Sequence, residues 1–136
     1  ACSSNPGIGG WGAIILKDNK KINLYGGLNN TTNNQMELTA VIESLKFLNN
    51  KENIEIFTDS KYVKNGILIW ITKWKTNGWK TTTKKPVKNK NLWIELDKLV
   101  LKHNISWKWV KGHVGNKYNE YADQLAKKYI IENNKQ

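Results

Sequence analysis

The sequence predicts an α/β fold, in which helices cover a sheet, and two patterns support this prediction. Apolar residues recur at helical spacing over residues 35–48, which indicates an amphipathic helix. A short apolar run at residues 54–57 leads into Thr58 and Asp59, and such continuous runs are typical of strands buried on both faces. Helical and strand segments alternate along the rest of the chain, as they do in α/β proteins.

Length and composition favour one domain, residues 1–136, that binds a polyanion. The formal net charge is +11, and all 22 basic residues are lysine. An excess of positive charge draws a protein toward phosphates, with an affinity that falls as salt rises. The sequence has no long apolar run and no lipidation signal, so it predicts nucleic acid and no membrane as the partner. The single cysteine, Cys2, excludes an internal disulfide and suits a cytoplasmic location.

The predicted elements follow the order strand, strand, helix, strand, helix, helix, strand, helix. Residues 28–34 are polar and hold candidate helix caps at Thr32, Asn33 and Asn34. Alternation, helical spacing and turn signals predict strands at residues 11–16, 21–27, 54–59 and 105–110, and helices at 35–48, 61–75, 92–102 and from 119 onward.

Two acidic residues lie where an α/β protein exposes chemistry. Asp59 is the last residue of its predicted strand, and ligands of such sheets gather at the carboxyl ends of the strands. Glu37 lies four residues before Val41 on the apolar stripe of its helix, where an unpaired carboxylate is costly. Each has a structural alternative. Asp59 or Ser60 could simply cap the next helix, and Glu37 could belong to a capping box.

Residues 70–90 combine lysines with tryptophans. Basic groups bind phosphates, and flat aromatic rings can lie against sugars or bases, so this segment predicts contact with nucleic acid. The alternative is a solvated lysine-rich loop whose tryptophans serve only as core. The residues concerned are Lys73, Lys75, Lys80, Lys84, Lys85, Lys88, Lys90, Trp70, Trp74 and Trp79.

Near the end of the chain, His113 lies between two glycines in a predicted loop, and Asp123 lies in the first turns of the last helix. The pKa of a histidine lies near neutrality, so His113 beside acids is a candidate proton shuttle. The other histidine, His103, follows a predicted helix end and is expected at the surface or as a cap.

The three acids Glu37, Asp59 and Asp123 can all reach one edge of the predicted sheet. Carboxylates that share a pocket recruit a cation, and oxygen ligands favour Mg²⁺ over zinc or copper. Two such ions, about 4 Å apart, would activate a water and stabilise the leaving oxygen of a phosphodiester. The residues alone therefore predict a lysine-rich, metal-dependent phosphodiester hydrolase.

Motifs spread over nearly the whole chain carry a resemblance to a known family. They are Asn5-Pro6-Gly7 with Gly9-Gly10-Trp11-Gly12, TTNNQMEL at residues 31–38, Thr58-Asp59-Ser60, the basic stretch 70–93, WKWVKGH at 107–113 and NEYAD at 119–123. Together they resemble bacterial type 1 ribonuclease H. The resemblance implies a five-stranded mixed sheet with helices on both faces. It also implies an endonuclease that uses Mg²⁺, or Mn²⁺ as a substitute, to cut RNA paired to DNA and to leave 5′-phosphate and 3′-hydroxyl ends.

Residue by residue, the resemblance implies a catalytic site and a substrate surface. Glu37, Asp59 and Asp123 match the metal-binding acids, and His113 matches a loop histidine that assists proton transfer or product release. The implied partner is an RNA/DNA hybrid bound by a monomer that needs no protein partner. The implied hybrid contacts are Cys2, Asn5, Asn33, Asn34, Met36 and Lys61 in the minor groove, Thr32 at a DNA phosphate, and Trp70, Trp74, Lys75, Trp79 and Lys80 in a basic protrusion, residues 70–90, that grips the DNA strand.

The sequence departs from the family pattern at its start. That pattern opens with a strand ending in Asp-Gly immediately before the counterparts of Ala1 and Cys2, and its aspartate bridges both metal ions. Most of this strand and its acid are expected to be missing here, as in a fragment of a longer active protein. A complete chain of this kind would bind metal weakly, cleave little and be poorly stable. The alternative function is a hybrid-binding module that cannot cut. The ribonuclease H part of a reverse transcriptase is disfavoured because the basic protrusion is complete.

Overall fold

A computed structural model describes residues 6–17, 20–48, 53–109 and 117–133, with the side chains of residues 17 and 117–119 left out. Strands and helices alternate along the chain, as predicted. In order they are β1 (Gly7–Lys17), β2 (Lys20–Thr31), α1 (Asn33–Phe47), β3 (Asn53–Thr58), α2 (Lys61–Asn65), a π-helical turn (Gly66–Trp70), α3 (Ile71–Asn77), α4 (Lys90–Lys102), β4 (Asn104–Trp109) and α5 (Lys117–Asn133).

The strands of the described residues form two separate ladders. β1 and β2 pair antiparallel as the predicted hairpin, with Ile15 opposite Ile22. β3 and β4 pair in parallel, from Asn53 opposite Asn104 to Thr58 opposite Trp109. Within the part of the chain that the structure describes, no hydrogen-bonded ladder joins the two pairs. The combination of helices and strands confirms the predicted α/β class. Both parallel and antiparallel pairs occur, but the described residues do not join them into the five-stranded mixed sheet that the resemblance implies.

Helix α1 connects the two ladders through the core. It packs against β1 on one side and α4 on the other. Its apolar stripe, predicted from helical spacing, is buried, and Trp93 and Leu96 of α4 face it with 0% exposure. Side chains from β3 and β4 pack against the same cluster. The amino end of α1 is thereby held beside the carboxyl end of β3, where Asp59 follows.

One prediction about burial is wrong. Strand β3 was expected to be buried on both faces, but exposed and half-buried residues alternate along it, and Phe57 is 52% exposed. The physical reason is that, among the described residues, α5 packs mainly on β1 and β2 and not on the outer face of β3. His103, which was expected at the surface or as a cap, is the C-cap residue of α4 and is 6% exposed.

The helix predicted at residues 61–75 is interrupted by the π-helical turn and continues to Asn77. The backbone N–H of Ile71 donates to the carbonyl of Gly66, a bond that spans five residues and defines the turn. Gly66 lies against the indole of Trp93, so the absence of a Cβ lets the helix approach α4 closely. No helix among the described residues is long and apolar enough to span a membrane.

Candidate active site

Asp59 lies between the end of β3 and the start of α2, and Ser60 performs the capping role that was considered for either residue. The Ser60 hydroxyl accepts a hydrogen bond from the Val63 backbone N–H at 3.1 Å. Its own backbone N–H donates to the Thr58 hydroxyl at 3.1 Å. The turn is therefore organised around Ser60, and the half-buried Asp59 is not the cap of α2.

Glu37 on α1 is held against the same turn. The Ser60 hydroxyl donates its hydrogen to Glu37 Oε2 at 2.6 Å, a short bond of the kind that charged acceptors make. The capping box of α1 uses Gln35 together with Thr32, so Glu37 has no part in it. This hydrogen bond links α1 to the residue after Asp59, and it thereby brings two of the three predicted acidic segments together.

Replacing Ser60 with alanine is expected to lower the free energy of unfolding by about 1–2 kcal/mol, because the helix loses its cap and Glu37 loses a hydrogen-bond donor. Urea unfolding followed by circular dichroism measures the change. Ser44→Ala is a matched control, since the Ser44 hydroxyl bonds only a carbonyl of its own helix. Equal stability of the two variants would contradict the role given to Ser60.

The third acid, Asp123, lies on α5, which packs along β1 and β2. Its side chain is 28% exposed and forms an ion pair with Lys127 at 3.0 Å, one helical turn later. This pairing offsets its charge locally. The structure thus describes Asp123 as a half-buried acid on the helix that covers the other ladder.

The chemistry of these three acids suits a divalent metal, but their positions among the described residues do not. Carboxylate oxygens are the ligands that Mg²⁺ prefers. Among the described residues, however, no three His, Cys, Asp or Glu side chains are grouped so that they could hold an ion together. A metal site formed by all three acids therefore stays a prediction.

The predicted groove contacts fall into three groups. Asn33 and Asn34 are exposed on the first turn of α1, and Lys61 is exposed at the start of α2. Met36 is only 1% exposed, so its side chain belongs to the core and does not offer the surface that a groove contact needs. The remaining predicted site residues, Cys2, Asn5 and His113, lie outside the described residues.

The basic protrusion, residues 70–90, runs from the last residue of the π-helical turn through α3 to the first residue of α4. The Trp79 N–H donates to the Trp74 carbonyl, and the Val87 N–H donates to the Trp79 carbonyl at 3.1 Å. Its predicted DNA-gripping residue Lys75 forms an ion pair with Asp97 of α4 at 3.3 Å. The other lysines predicted here are exposed, apart from Lys90, which is half-buried.

The structure supports the core role of the tryptophans and leaves their contact with nucleic acid untested. Trp70, Trp74 and Trp79 are half-buried and pack against the core, as the structural alternative required. They form a row of ring contacts, with centroids 5.8 Å apart between Trp70 and Trp74 and 5.9 Å apart between Trp74 and Trp79. These tryptophans are partly exposed in a segment rich in lysines, and their stacking on nucleic acid stays a prediction.

Replacing Lys84 with glycine is expected to stabilise the protein. Lys84 has a φ of 63°, in the left-handed region that costs a residue with a Cβ about 1–2 kcal/mol. Glycine removes that cost, but a glycine loses more conformational entropy on folding than a lysine backbone does. The expected net increase in the free energy of unfolding is therefore about 0.5–1 kcal/mol. Thermal unfolding measures it. Lys88→Gly, at a position without positive φ, should lower stability, and a gain from both changes would show that lost charge repulsion is the cause.

Comparison with known proteins identifies the family. The RNase H family model matches residues 1–131. A Ribonuclease H from Ehrlichia ruminantium (strain Gardel) is 60% identical over 131 residues, which are 96% of this chain and 90% of that protein. LC9-RNase H1, described as a type 1 RNase H with the type 2 active-site motif, superposes with a TM-score of 0.73 at 25% identity, over 94% of this chain and 74% of its own. A foamy viral protease-reverse transcriptase in complex with RNA/DNA hybrid has a TM-score of 0.71 at 22% identity, over 88% of this chain and 19% of its own. The chain belongs to the ribonuclease H family.

Proposed function

We propose that this chain is an endonuclease that hydrolyses the RNA strand of RNA/DNA hybrids with the help of a divalent metal. The observation that carries the proposal is the hydrogen bond from Ser60 to Glu37, at 2.6 Å. It joins the acid of α1 to the end of β3, where Asp59 lies. Membership of the ribonuclease H family supports hydrolysis of RNA as the reaction.

The metal of the proposal is Mg²⁺, with Mn²⁺ as a substitute, and its ligands are Glu37, Asp59 and Asp123. The family is generally dependent on divalent metals. Bound there, the metal would activate the attacking water and stabilise the leaving oxygen. His113 would transfer a proton near this site, since imidazole can both accept and donate one near neutral pH.

The proposed hybrid contacts divide between two regions. Exposed lysines of the basic protrusion would contact phosphates of the DNA strand, and the net charge of +11 would favour the encounter. Thr32, Asn33 and Asn34 at the start of α1 would contact the minor groove and an adjacent DNA phosphate. Hybrid is distinguished from duplex DNA by the 2′-hydroxyls that line this wide groove. We further propose that the chain acts as one domain and a monomer in the cytoplasm.

A cleavage assay with a labelled RNA strand tests the function. The RNA is offered paired to DNA, paired to RNA, and alone, with Mg²⁺ or with EDTA. The proposal expects Mg²⁺-dependent cleavage within the hybrid and none in the other two substrates. Cleavage of single-stranded RNA at the same rate, or cleavage that persists in EDTA, would overturn it.

The second candidate is a hybrid-binding module that does not cut. One observation favours it, namely that the described residues contain no group of three acids able to hold a metal. Fluorescence anisotropy of the labelled hybrid at several salt concentrations would distinguish the two. Salt-sensitive binding without cleavage supports the module, and absence of both contradicts both candidates.

A further inference from the structure

Gln35, on the first turn of α1, forms hydrogen bonds through both the oxygen and the nitrogen of its side-chain amide. Its oxygen accepts hydrogen bonds from the Thr31 hydroxyl at 2.7 Å and from the Thr32 backbone N–H at 3.2 Å. Its Nε2 donates to Asn89 Oδ1 at 3.1 Å. The bond from the Thr32 N–H completes the capping box of α1, but the bond to Asn89 leaves the helix and reaches a residue 54 positions away.

The conformation of Asn89 allows it to bond to Gln35, and we call this Gln35–Asn89 hydrogen bond the cross-link. It is the residue before α4, where asparagine normally accepts a bond from the first turn of its own helix. Here it has a φ of 59° and makes no such side-chain cap. Its amide oxygen instead accepts from Gln35, and its Nδ2 donates to the Tyr62 hydroxyl at 3.1 Å. The same hydroxyl accepts from Trp93 Nε1 at 3.1 Å.

The cross-link connects two regions that the proposed function assigns to one DNA strand. Thr32 belongs to the amino end of α1, and Asn89 ends the basic protrusion. Both Gln35 and Asn89 are half-buried, so their bond competes with less water than one at the surface. The network is continuous from Thr31 through Gln35 and Asn89 to Tyr62.

We propose that Gln35 is a positioning residue for hybrid binding, which fixes the spacing between the Thr32 turn and the root of the basic protrusion. The inference rests on the proposed function, because it takes the RNA/DNA hybrid as the ligand that spans both regions. The two contact regions are already held at the distance that the ligand requires. Binding therefore does not have to order them, and it costs less conformational entropy. Gln35 itself touches no part of the hybrid in this proposal.

A double-mutant cycle tests the inference on the whole chain. Gln35→Met removes the amide at similar length and without a change of charge. Asn89→Gly removes the other partner while keeping a residue that accepts a positive φ. Hybrid affinity is measured for both single variants and the double variant by anisotropy in EDTA, which prevents cleavage, and thermal unfolding confirms that each is folded at the assay temperature.

Gln35→Met is expected to weaken hybrid binding about threefold to tenfold, which corresponds to one neutral hydrogen bond. The dependence of affinity on salt should stay unchanged, since no phosphate contact is lost. In the Asn89→Gly background the same change should have a clearly smaller effect, because the bond to Asn89 is already broken and only the bonds to Thr31 and Thr32 remain to be lost.

The possible outcomes distinguish a failure of this inference from a failure of the proposed function. An equal effect of Gln35→Met in both backgrounds would overturn the inference and reduce Gln35 to a helix cap. Unchanged affinity of the Gln35→Met variant would overturn it too, while tight binding by the parent chain would leave the proposed function intact. A parent chain that does not bind the hybrid would overturn the proposed function and this inference together.

Discussion

Replacing Asp59 with asparagine is expected to reduce cleavage of the RNA strand of a hybrid by at least about a hundredfold. Loss of a residue that only supports a metal ligand commonly costs 10- to 100-fold, so loss of a ligand itself, the role we propose for Asp59, should cost more. Asparagine keeps the size of the side chain, removes its charge and replaces one acceptor oxygen by an NH2 donor. We therefore expect the variant to fold. Initial rates with Mg²⁺ and a labelled hybrid measure the effect.

Glu55→Gln is the matched control. Glu55 lies on the same strand, β3, and is exposed on its outer face, four residues before Asp59. The substitution removes the same charge close by, so it corrects for any general electrostatic effect on hybrid binding. Equal rates for the two variants would show that Asp59 is not a metal ligand. If only Asp59→Asn lowers the cleavage rate, and its hybrid affinity is unchanged, then Asp59 acts in the chemical step.

The elements that the sequence predicted well are those with a local cause. The stripe of α1 is buried because its apolar residues follow the helical repeat, and no tertiary information is needed to see this. Ser60 caps α2 because a serine before a helix can satisfy a backbone N–H. The capping box of α1 could also have been found from the spacing of Thr32 and Gln35 alone.

The parts that were missed depend on contacts between distant segments. The hydrogen bond between Ser60 and Glu37 joins residues 23 apart, and the one between Gln35 and Asn89 joins residues 54 apart. Helical periodicity carries no information about either. Likewise, Met36 was expected to contact the minor groove from the resemblance alone, and the burial of its side chain follows from how α1 packs on its neighbours.

Replacing Gly66 with alanine is expected to lower the free energy of unfolding by at least about 2 kcal/mol. A Cβ at this position would overlap the indole of Trp93, which is fully buried and cannot move aside. Overpacking of this kind typically costs about 1–3 kcal/mol and occasionally more. Alanine is the better helix former by about 1 kcal/mol, but here the overlap involves several ring atoms and outweighs that gain. Urea unfolding measures the difference.

Two further variants identify the overlap as the cause. Gly78→Asn changes a glycine with a φ of 75° and no neighbouring atom within 4 Å, so asparagine should cost less than about 1 kcal/mol there. Trp93→Phe makes room beside Gly66, and the double variant Gly66→Ala with Trp93→Phe should lose less stability than the two single losses added together. Additive losses in the free energy of unfolding would mean that a Cβ at residue 66 does not overlap the Trp93 indole. The close approach of the π-helical turn to α4 would then need another explanation.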